Sequence, residues 1–213
     1  MRELLLFIKK PEWSGSFTKL SIKTFVHLLI LYLICVVPLG AIASVFAKIL
    51  DLNSKVDNVL IPKEILYGFV LAPLIEEVFF RLIYVFRRRN LFIILCASLF
   101  FAIVFIFRDS YSKSILLFSV AFILILTIIF FNFSKQYFYS HFKFFFYFIA
   151  FLFAIIHLNN FIGLTYTKLL FGLLLVTPQL IAGIVLGYIR LKYGFIYAVL
   201  YHMTINLVLL FQL

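Results

Sequence analysis

The sequence predicts an all-α membrane protein, and two features carry that prediction. Hydrophobic residues make up 66% of the chain and charged residues only 13%, with a mean hydropathy of +1.19. A soluble domain is usually nearer half apolar and a quarter charged, so the natural solvent of this chain is lipid. The second feature is a series of apolar stretches near the ~20 residues that a helix needs to cross a bilayer. We therefore predict a transmembrane helix bundle with about seven spanning helices, forming one domain over residues 1–213.

The chain begins with a basic leader, residues 1–23, in which a short apolar stretch precedes Lys9 and Lys10. This stretch is too short for a signal-peptide core, so we expect it to lie at the cytoplasmic membrane interface, with Trp13 near the headgroups. The seven predicted spans follow in this order: Phe25–Ala47, Ile65–Phe86, Leu91–Phe107, Ser114–Phe133, Phe144–Leu164, Leu169–Ile189 and Phe195–Leu213.

Lysine and arginine residues between these spans predict the orientation of the chain. The span ends predicted on the same side of the membrane as the leader carry twice as many Lys and Arg residues as those on the other side. Positive charge marks the cytoplasmic side. The N-terminus is therefore expected inside and the C-terminus outside. The net charge of +11 then reflects topology, and no nucleic-acid partner is expected. The richness in Phe, Ile, Lys and Asn hints at an AT-rich bacterial genome, which points to the bacterial inner membrane.

A small set of polar residues falls within the predicted spans. Ionisable groups in hydrocarbon cost several kcal/mol, so they are candidates for function. At ~1.5 Å of rise per helical residue, the carboxylates and imidazoles on three different spans all fall near the middle of the bilayer. The residues at this depth are Glu76, Glu77, Arg81, His157, His202 and Asn206.

The spacing of these residues predicts which of them pair. Glu77 and Arg81 are four residues apart, so they share one helix face, whereas Glu76 points about 100° away from Glu77. One carboxylate is then held by Arg81 while the other faces a cavity. His202 and Asn206 also share a face, and Pro73 is expected to loosen or kink the helix just before the glutamates.

Structural explanations exist for each feature taken alone. A Glu–Arg pair can simply lock two helices together, and a membrane His beside an Asn is often an interhelical hydrogen-bond partner. Phe153, one turn before His157, is ordinary packing in a chain with 30 Phe. Cys35 and Cys96 lie far apart in apolar runs and form no disulfide or metal motif.

Three short motifs resemble those of the CPBP intramembrane proteases, the family that includes CAAX-processing and bacteriocin-processing (Abi-type) proteins. Glu76-Glu77-Val-Phe-Phe-Arg81 resembles the EExxxR motif of that family. Phe153-Ala-Ile-Ile-His157 resembles its FxxxH motif, and His202-Met-Thr-Ile-Asn206 resembles its HxxxN/D motif. Each motif is weak alone, but three in order on apolar helices are more specific. The resemblance covers the motif-bearing core, residues 62–213.

The resemblance implies an all-helical fold with an intramembrane catalytic cavity that opens toward the cytosolic leaflet. It implies that Glu76 and His157 activate a water molecule and that His202 and Asn206 stabilise the oxyanion. Glu77, held by Arg81, would support the site, with Phe153 beside it. The expected substrate is a peptide or protein that enters from the membrane or the cytosolic leaflet, and the expected activity is peptide-bond hydrolysis.

Metal dependence is left open by the sequence. Two His and one Glu are also a plausible zinc set with one open position, and the ligands would be Glu76, His157 and His202. No HExxH sequence is present and no third nitrogen or sulfur ligand is evident. We therefore favour a mechanism without a cofactor, with zinc as the alternative.

Two other functions fit the same residues. The ionisable side chains at depth could form a proton relay in a transporter-type protein, although the sequence shows no internal repeat of the kind many transporters have. The chain could also be a catalytically silent bacteriocin-immunity protein, a role that the family resemblance includes.

Overall fold

The computed structural model describes residues 2–54, 66–165 and 167–210. These residues form ten α-helices, so the predicted all-α class is confirmed. In chain order the helices are α1 Arg2–Lys9, α2 Ile22–Ile49, α3 Ala72–Arg81, α4 Arg88–Ile106, α5 Tyr111–Ile129, α6 Phe131–Ser140, α7 Phe142–Ile156, α8 Leu169–Leu175, α9 Thr177–Lys192 and α10 Phe195–Leu210. Two short strands, β1 Asn53–Ser54 and β2 Phe161–Ile162, pair in antiparallel fashion.

Four segments of the described chain are long and apolar enough to cross a membrane. They are Ile22–Ile49, Arg88–Ile106, Tyr111–Ile129 and Phe142–Asn160, and they correspond to the first, third, fourth and fifth predicted spans. Helix α10 is apolar over Phe195–Val208 but shorter. The four segments and the apolar composition indicate an integral membrane protein.

The second and sixth predicted spans are not single long helices. The second is divided into a π-helix Tyr67–Leu71, helix α3 and a 3₁₀ turn Leu82–Tyr84, and its predicted first residue lies outside the described part of the chain. The sixth breaks at Val176, because Pro178 occupies the first turn of α9 and a proline is tolerated there but not inside a helix.

Two other predicted boundaries also differ from the structure. The fourth span is divided at Phe130 into α5 and α6. The fifth ends as an α-helix at Ile156 and continues as the 3₁₀ turn His157–Asn160, followed by strand β2 and Gly163, which has a φ of +87°. A positive φ suits glycine and is incompatible with a regular helix at that position. The last predicted span extends to residue 213, and its final residues 211–213 lie outside the described part.

Helix α9 lies at the centre of the bundle and packs against α2, α7 and α10. Its glycines allow α7 to approach closely. A Cβ at position 183 would lie 3.1 Å from the carbonyl oxygen of Ala150, and one at position 187 would lie 2.7 Å from the ring of Phe146. Small residues of this kind let membrane helices pack backbone against backbone.

The basic leader docks onto the end of α9. The ring of Phe7 lies between those of Phe146 and Tyr188, at centroid distances of 5.3 and 5.1 Å. The Lys192 ammonium donates to the Glu3 carboxylate, and the Thr18 backbone N–H donates to the Lys192 carbonyl at 2.8 Å. The leader is therefore tied to the helix that runs through the middle of the protein.

Candidate functional site

Three helices bring the polar residues at depth to one place. Helix α3 carries the Glu76–Glu77 pair and ends at Arg81, and it packs against α7 and α10. His157 caps the C-terminal end of α7. His202 lies in the middle third of α10. The site therefore depends on α3 reaching both neighbouring helices at once.

The Glu77 carboxylate is the buried centre of this cluster. Its Oε1 atom accepts a hydrogen bond from His202 Nδ1 at 3.0 Å and lies 3.4 Å from Arg81 Nε. The side chains of Glu77 and Arg81 are both fully buried. The Glu77–Arg81 contact predicted from their spacing is present, and it leaves Glu76 as the carboxylate that faces outward, with its side chain 25% exposed.

The Arg81 side chain lies over an aromatic ring, and its backbone carbonyl binds a second arginine. Its Cζ atom lies 4.0 Å from the centroid of the Phe153 ring, a short cation–π contact. The Arg81 carbonyl accepts a hydrogen bond from Arg190 Nε at 3.0 Å. The same Phe153 ring contacts His157 at 4.7 Å and His202 at 5.8 Å between ring centroids. Phe153 is therefore the apolar surface against which the cation and both imidazoles rest.

Both imidazoles present an Nε2 atom to Glu76. The Glu76 Oε2 atom lies 3.9 Å from Nε2 of His157 and 3.7 Å from Nε2 of His202. These distances are too long for direct hydrogen bonds. A separation of this size suits one small group, such as a water or a substrate oxygen, that bridges the carboxylate and an imidazole.

The tautomer of each ring follows from the partner of its Nδ1 atom. His157 Nδ1 lies 2.7 Å from the Phe153 carbonyl oxygen, and because a carbonyl only accepts, Nδ1 carries the hydrogen. In the neutral ring Nε2 then has a free lone pair. His202 Nδ1 donates in the same way to the ionised Glu77 carboxylate. In the neutral rings both Nε2 atoms are therefore acceptors that face another acceptor, the Glu76 carboxylate, so a bridging donor such as water fits between them.

Asn206 lies one turn beyond His202 but has a different partner. Its Nδ2 donates to the Gly68 carbonyl oxygen at 3.1 Å. The structure thus brings the imidazoles of His157 and His202 to Glu76 and joins His202 to Glu77, whereas Asn206 binds Gly68. Sequence reasoning missed Gly68 and Arg190; the proline at position 73 was the only local signal for the first.

The donor atoms around Glu76 are spaced slightly too widely for a tetrahedral zinc ion. Tetrahedral zinc with bonds of ~2.1 Å places its ligands about 3.4 Å apart. The separations of Glu76 Oε2 from the two Nε2 atoms, 3.7 and 3.9 Å, are a few tenths longer. Over the described part of the chain, no group of three or more His, Cys, Asp or Glu has the arrangement of a metal site. The donor types suit zinc, and the spacing would have to tighten to bind it.

Comparison with known proteins identifies no relative. No protein-family model matches the sequence, and neither a curated protein nor a solved structure matches the chain significantly.

Proposed function

We propose that this chain is an intramembrane endopeptidase with a site formed by Glu76, His157 and His202. The observation that supports this best is the approach of two imidazole Nε2 atoms to one partly exposed carboxylate oxygen, at 3.7 and 3.9 Å. Each ring is oriented by a bond from its Nδ1 atom. Such a geometry suits a general base, Glu76, and two imidazoles arranged around one reacting group.

In the proposed reaction, Glu76 and His157 activate a water molecule. The carboxylate accepts a proton while the water oxygen attacks the peptide carbonyl carbon, and the C–N bond then breaks as the leaving amine takes up that proton. The 3.9 Å gap between Glu76 Oε2 and His157 Nε2 accommodates the water oxygen between two acceptors.

The developing oxyanion needs donors, and α10 offers two. His202 donates through Nε2 once its ring is protonated, and the Glu77 carboxylate on Nδ1 stabilises that imidazolium. Asn206 has a second hydrogen on Nδ2 besides the one given to Gly68. Arg81 and Phe153 hold Glu77 and the two rings in place.

The membrane setting follows from the apolar helices. We propose that the motif-bearing segments complete a bundle of about seven crossings, four of which are long enough in the described residues. The site would be an intramembrane cavity, with the N-terminus cytoplasmic, in a bacterial inner membrane. The substrate would be a peptide or membrane protein that enters from the bilayer or the cytosolic leaflet, and no nucleic acid takes part.

A proton relay is the second candidate, because one bridging water between Glu76 and His202 would complete a chain of polar contacts. Glu76 neighbours His202, His202 bonds Glu77, and Glu77 contacts Arg81. A relay predicts proton flux through proteoliposomes without peptide cleavage. A silent immunity protein predicts neither activity.

Replacing the base tests the proposal. Glu76→Gln preserves shape and polarity but cannot accept the proton, so peptide cleavage by the purified protein in proteoliposomes should fall by ~10²-fold or more. His157→Ala should show a similar loss. Glu12→Gln, at an exposed glutamate of the leader, is the matched control and should cleave at the wild-type rate. Wild-type cleavage by Glu76→Gln would rule out Glu76 as the base.

Chelation separates the two forms of the mechanism. If the Glu–His site works without metal, cleavage should persist after complete removal of metal with a strong chelator. If chelation abolishes cleavage and stoichiometric zinc restores it, Glu76, His157 and His202 act as zinc ligands instead. Metal content measured on the same samples confirms that removal was complete.

A further inference from the structure

The carbonyl of Gly68 has lost both backbone donors that a helix would give it. In an α-helix it would accept from the N–H of residue 72, but Ala72 N–H donates to Tyr67, five residues back, in the π-helical pattern. In a π-helix Gly68 would accept from residue 73. Residue 73 is proline, which has no N–H.

Asn206 supplies the missing donor from another helix. Its Nδ2 lies 3.1 Å from the Gly68 oxygen, across 138 residues of sequence. An unpaired carbonyl away from water costs free energy comparable to a lost hydrogen bond, and in lipid no solvent can replace it. The side-chain amide therefore replaces the backbone donor that the Gly68 carbonyl lacks.

The Asn206–Gly68 bond links the helical segment that carries Glu76 to the helix that carries His202. Gly68 lies eight residues, about two turns, before Glu76 in the same helical segment. Asn206 lies one turn after His202 on α10. The bond therefore joins the same two helical segments whose side chains bring Glu76 Oε2 within 3.7 Å of His202 Nε2.

We propose that Asn206 is a positioning residue whose amide replaces the N–H that Pro73 lacks, and so sets the register of Glu76 against His202. The catalytic meaning of this register rests on the proposed peptidase function, but the hydrogen bond does not. This role is separate from any donation by the second Nδ2 hydrogen to an oxyanion.

A double-mutant cycle isolates the positioning role. Pro73→Ala restores an N–H that can reach the Gly68 carbonyl, so it should make Asn206 less necessary. In the wild-type background, Asn206→Ala should lower kcat about tenfold with little change in KM and should lower the thermal midpoint of unfolding. In the Pro73→Ala background, Asn206→Ala should cause a smaller loss of kcat and a smaller drop in the thermal midpoint. Pro73 is buried, so Pro73→Ala also removes packing contacts. This loss is present both with and without Asn206→Ala, so it cancels when the two costs of Asn206→Ala are compared.

Two control variants keep the test specific. Pro38→Ala removes the proline inside α2, exposed and far from the site in sequence, and should leave the cost of Asn206→Ala unchanged. Gly68→Ala keeps the carbonyl, and its new Cβ meets nothing within 4 Å. This variant should therefore keep the bond and the sensitivity to Asn206→Ala.

The two readouts distinguish the possible failures. Equal costs of Asn206→Ala in the wild-type and Pro73→Ala backgrounds, in both kcat and midpoint, would overturn the proposal and leave the amide with an oxyanion role alone. Coupled midpoints in a protein that cleaves no peptide would sustain the Asn206–Gly68 connection while the peptidase proposal fails. Coupled midpoints together with uncoupled kcat values would show that the bond does not set the register of Glu76, and would overturn that part.

Discussion

At the scale of single residues, one oxygen atom organises the candidate site. Glu77 Oε1 receives both His202 Nδ1 and the Arg81 side chain, and all three groups are buried. Such a charge needs its partners, because an isolated ion in a medium of low dielectric is strongly disfavoured. Arg81 therefore neutralises the Glu77 carboxylate, and this carboxylate in turn fixes the tautomer of His202.

Removal of Arg81 is the corresponding prediction. Arg81→Ala leaves Glu77 as an uncompensated buried charge and removes the cation from the Phe153 ring. We expect a destabilisation of about 3–5 kcal/mol and a loss of activity. Unfolding in detergent micelles measures the first and peptide cleavage the second. Arg88→Ala is the control, since Arg88 is exposed and also lies over an aromatic ring, that of Phe131, at 4.8 Å. An Arg81→Ala protein with wild-type stability and rate would contradict the role given to the pair.

At the scale of elements, the leader helix α1 is held to α9 by one ion pair and one aromatic contact. Lys192 donates to Glu3, and the hydrogen bond from this ammonium lowers the pKa of the Glu3 carboxyl below its ordinary value of 4.5. A lowered pKa means that the folded state binds its proton less readily than the unfolded state. The stabilisation is therefore present above pH 4.5 and is lost as the pH falls through the lowered value.

This linkage predicts an acid-sensitive docking of the leader. Because Glu3 is largely exposed, the pair should contribute no more than ~1 kcal/mol. The fluorescence of Trp13, the single tryptophan of the chain, should shift on acidification below pH 4.5 as the leader loosens. Glu3→Gln should already show part of that shift at neutral pH, and Glu12→Gln should behave as wild type. A Trp13 signal unaffected by Glu3→Gln at every pH would show that the ion pair does not hold the leader.

At the scale of the whole molecule, four segments of the described residues are long enough to cross a membrane, and the basic residues predict their direction. Helix α5 separates two exposed serines, Ser112 near its start and Ser140 at the end of α6. If the leader is cytoplasmic and the first four predicted spans all cross the membrane, Ser112 lies outside and Ser140 inside.

Cysteine labelling tests this orientation. In a background with Cys35 and Cys96 replaced by serine, an impermeant maleimide should label Ser112→Cys in intact cells and Ser140→Cys only after permeabilisation. The reverse pattern would mean either that the leader lies outside or that the second predicted span does not cross the membrane. Labelling of both positions from one side would mean that α5 does not cross the membrane.

The sequence by itself determined that lipid is the solvent of this protein, and it identified the candidate site residues. Composition and apolar segments require a lipid environment, and the i,i+4 spacing of Glu77 and Arg81 is sufficient to predict their contact. Both properties are local, since they depend on residues within one helix. The ends of α7 and α9 were less predictable, because a stretch of apolar residues does not show where a turn or a proline will break it.

Only the tertiary structure decided which polar groups meet. The approach of His157 and His202 to one oxygen of Glu76 depends on how α3 packs between α7 and α10, and no local pattern specifies that packing. The same holds for the Gly68 carbonyl. Pro73 shows that some carbonyl upstream lacks a donor, but whether it belongs to residue 68 or 69 depends on the π-helical turn. Its replacement donor, Asn206, comes from 138 residues away, and a hydrogen bond at that separation is specified by the packed helices together.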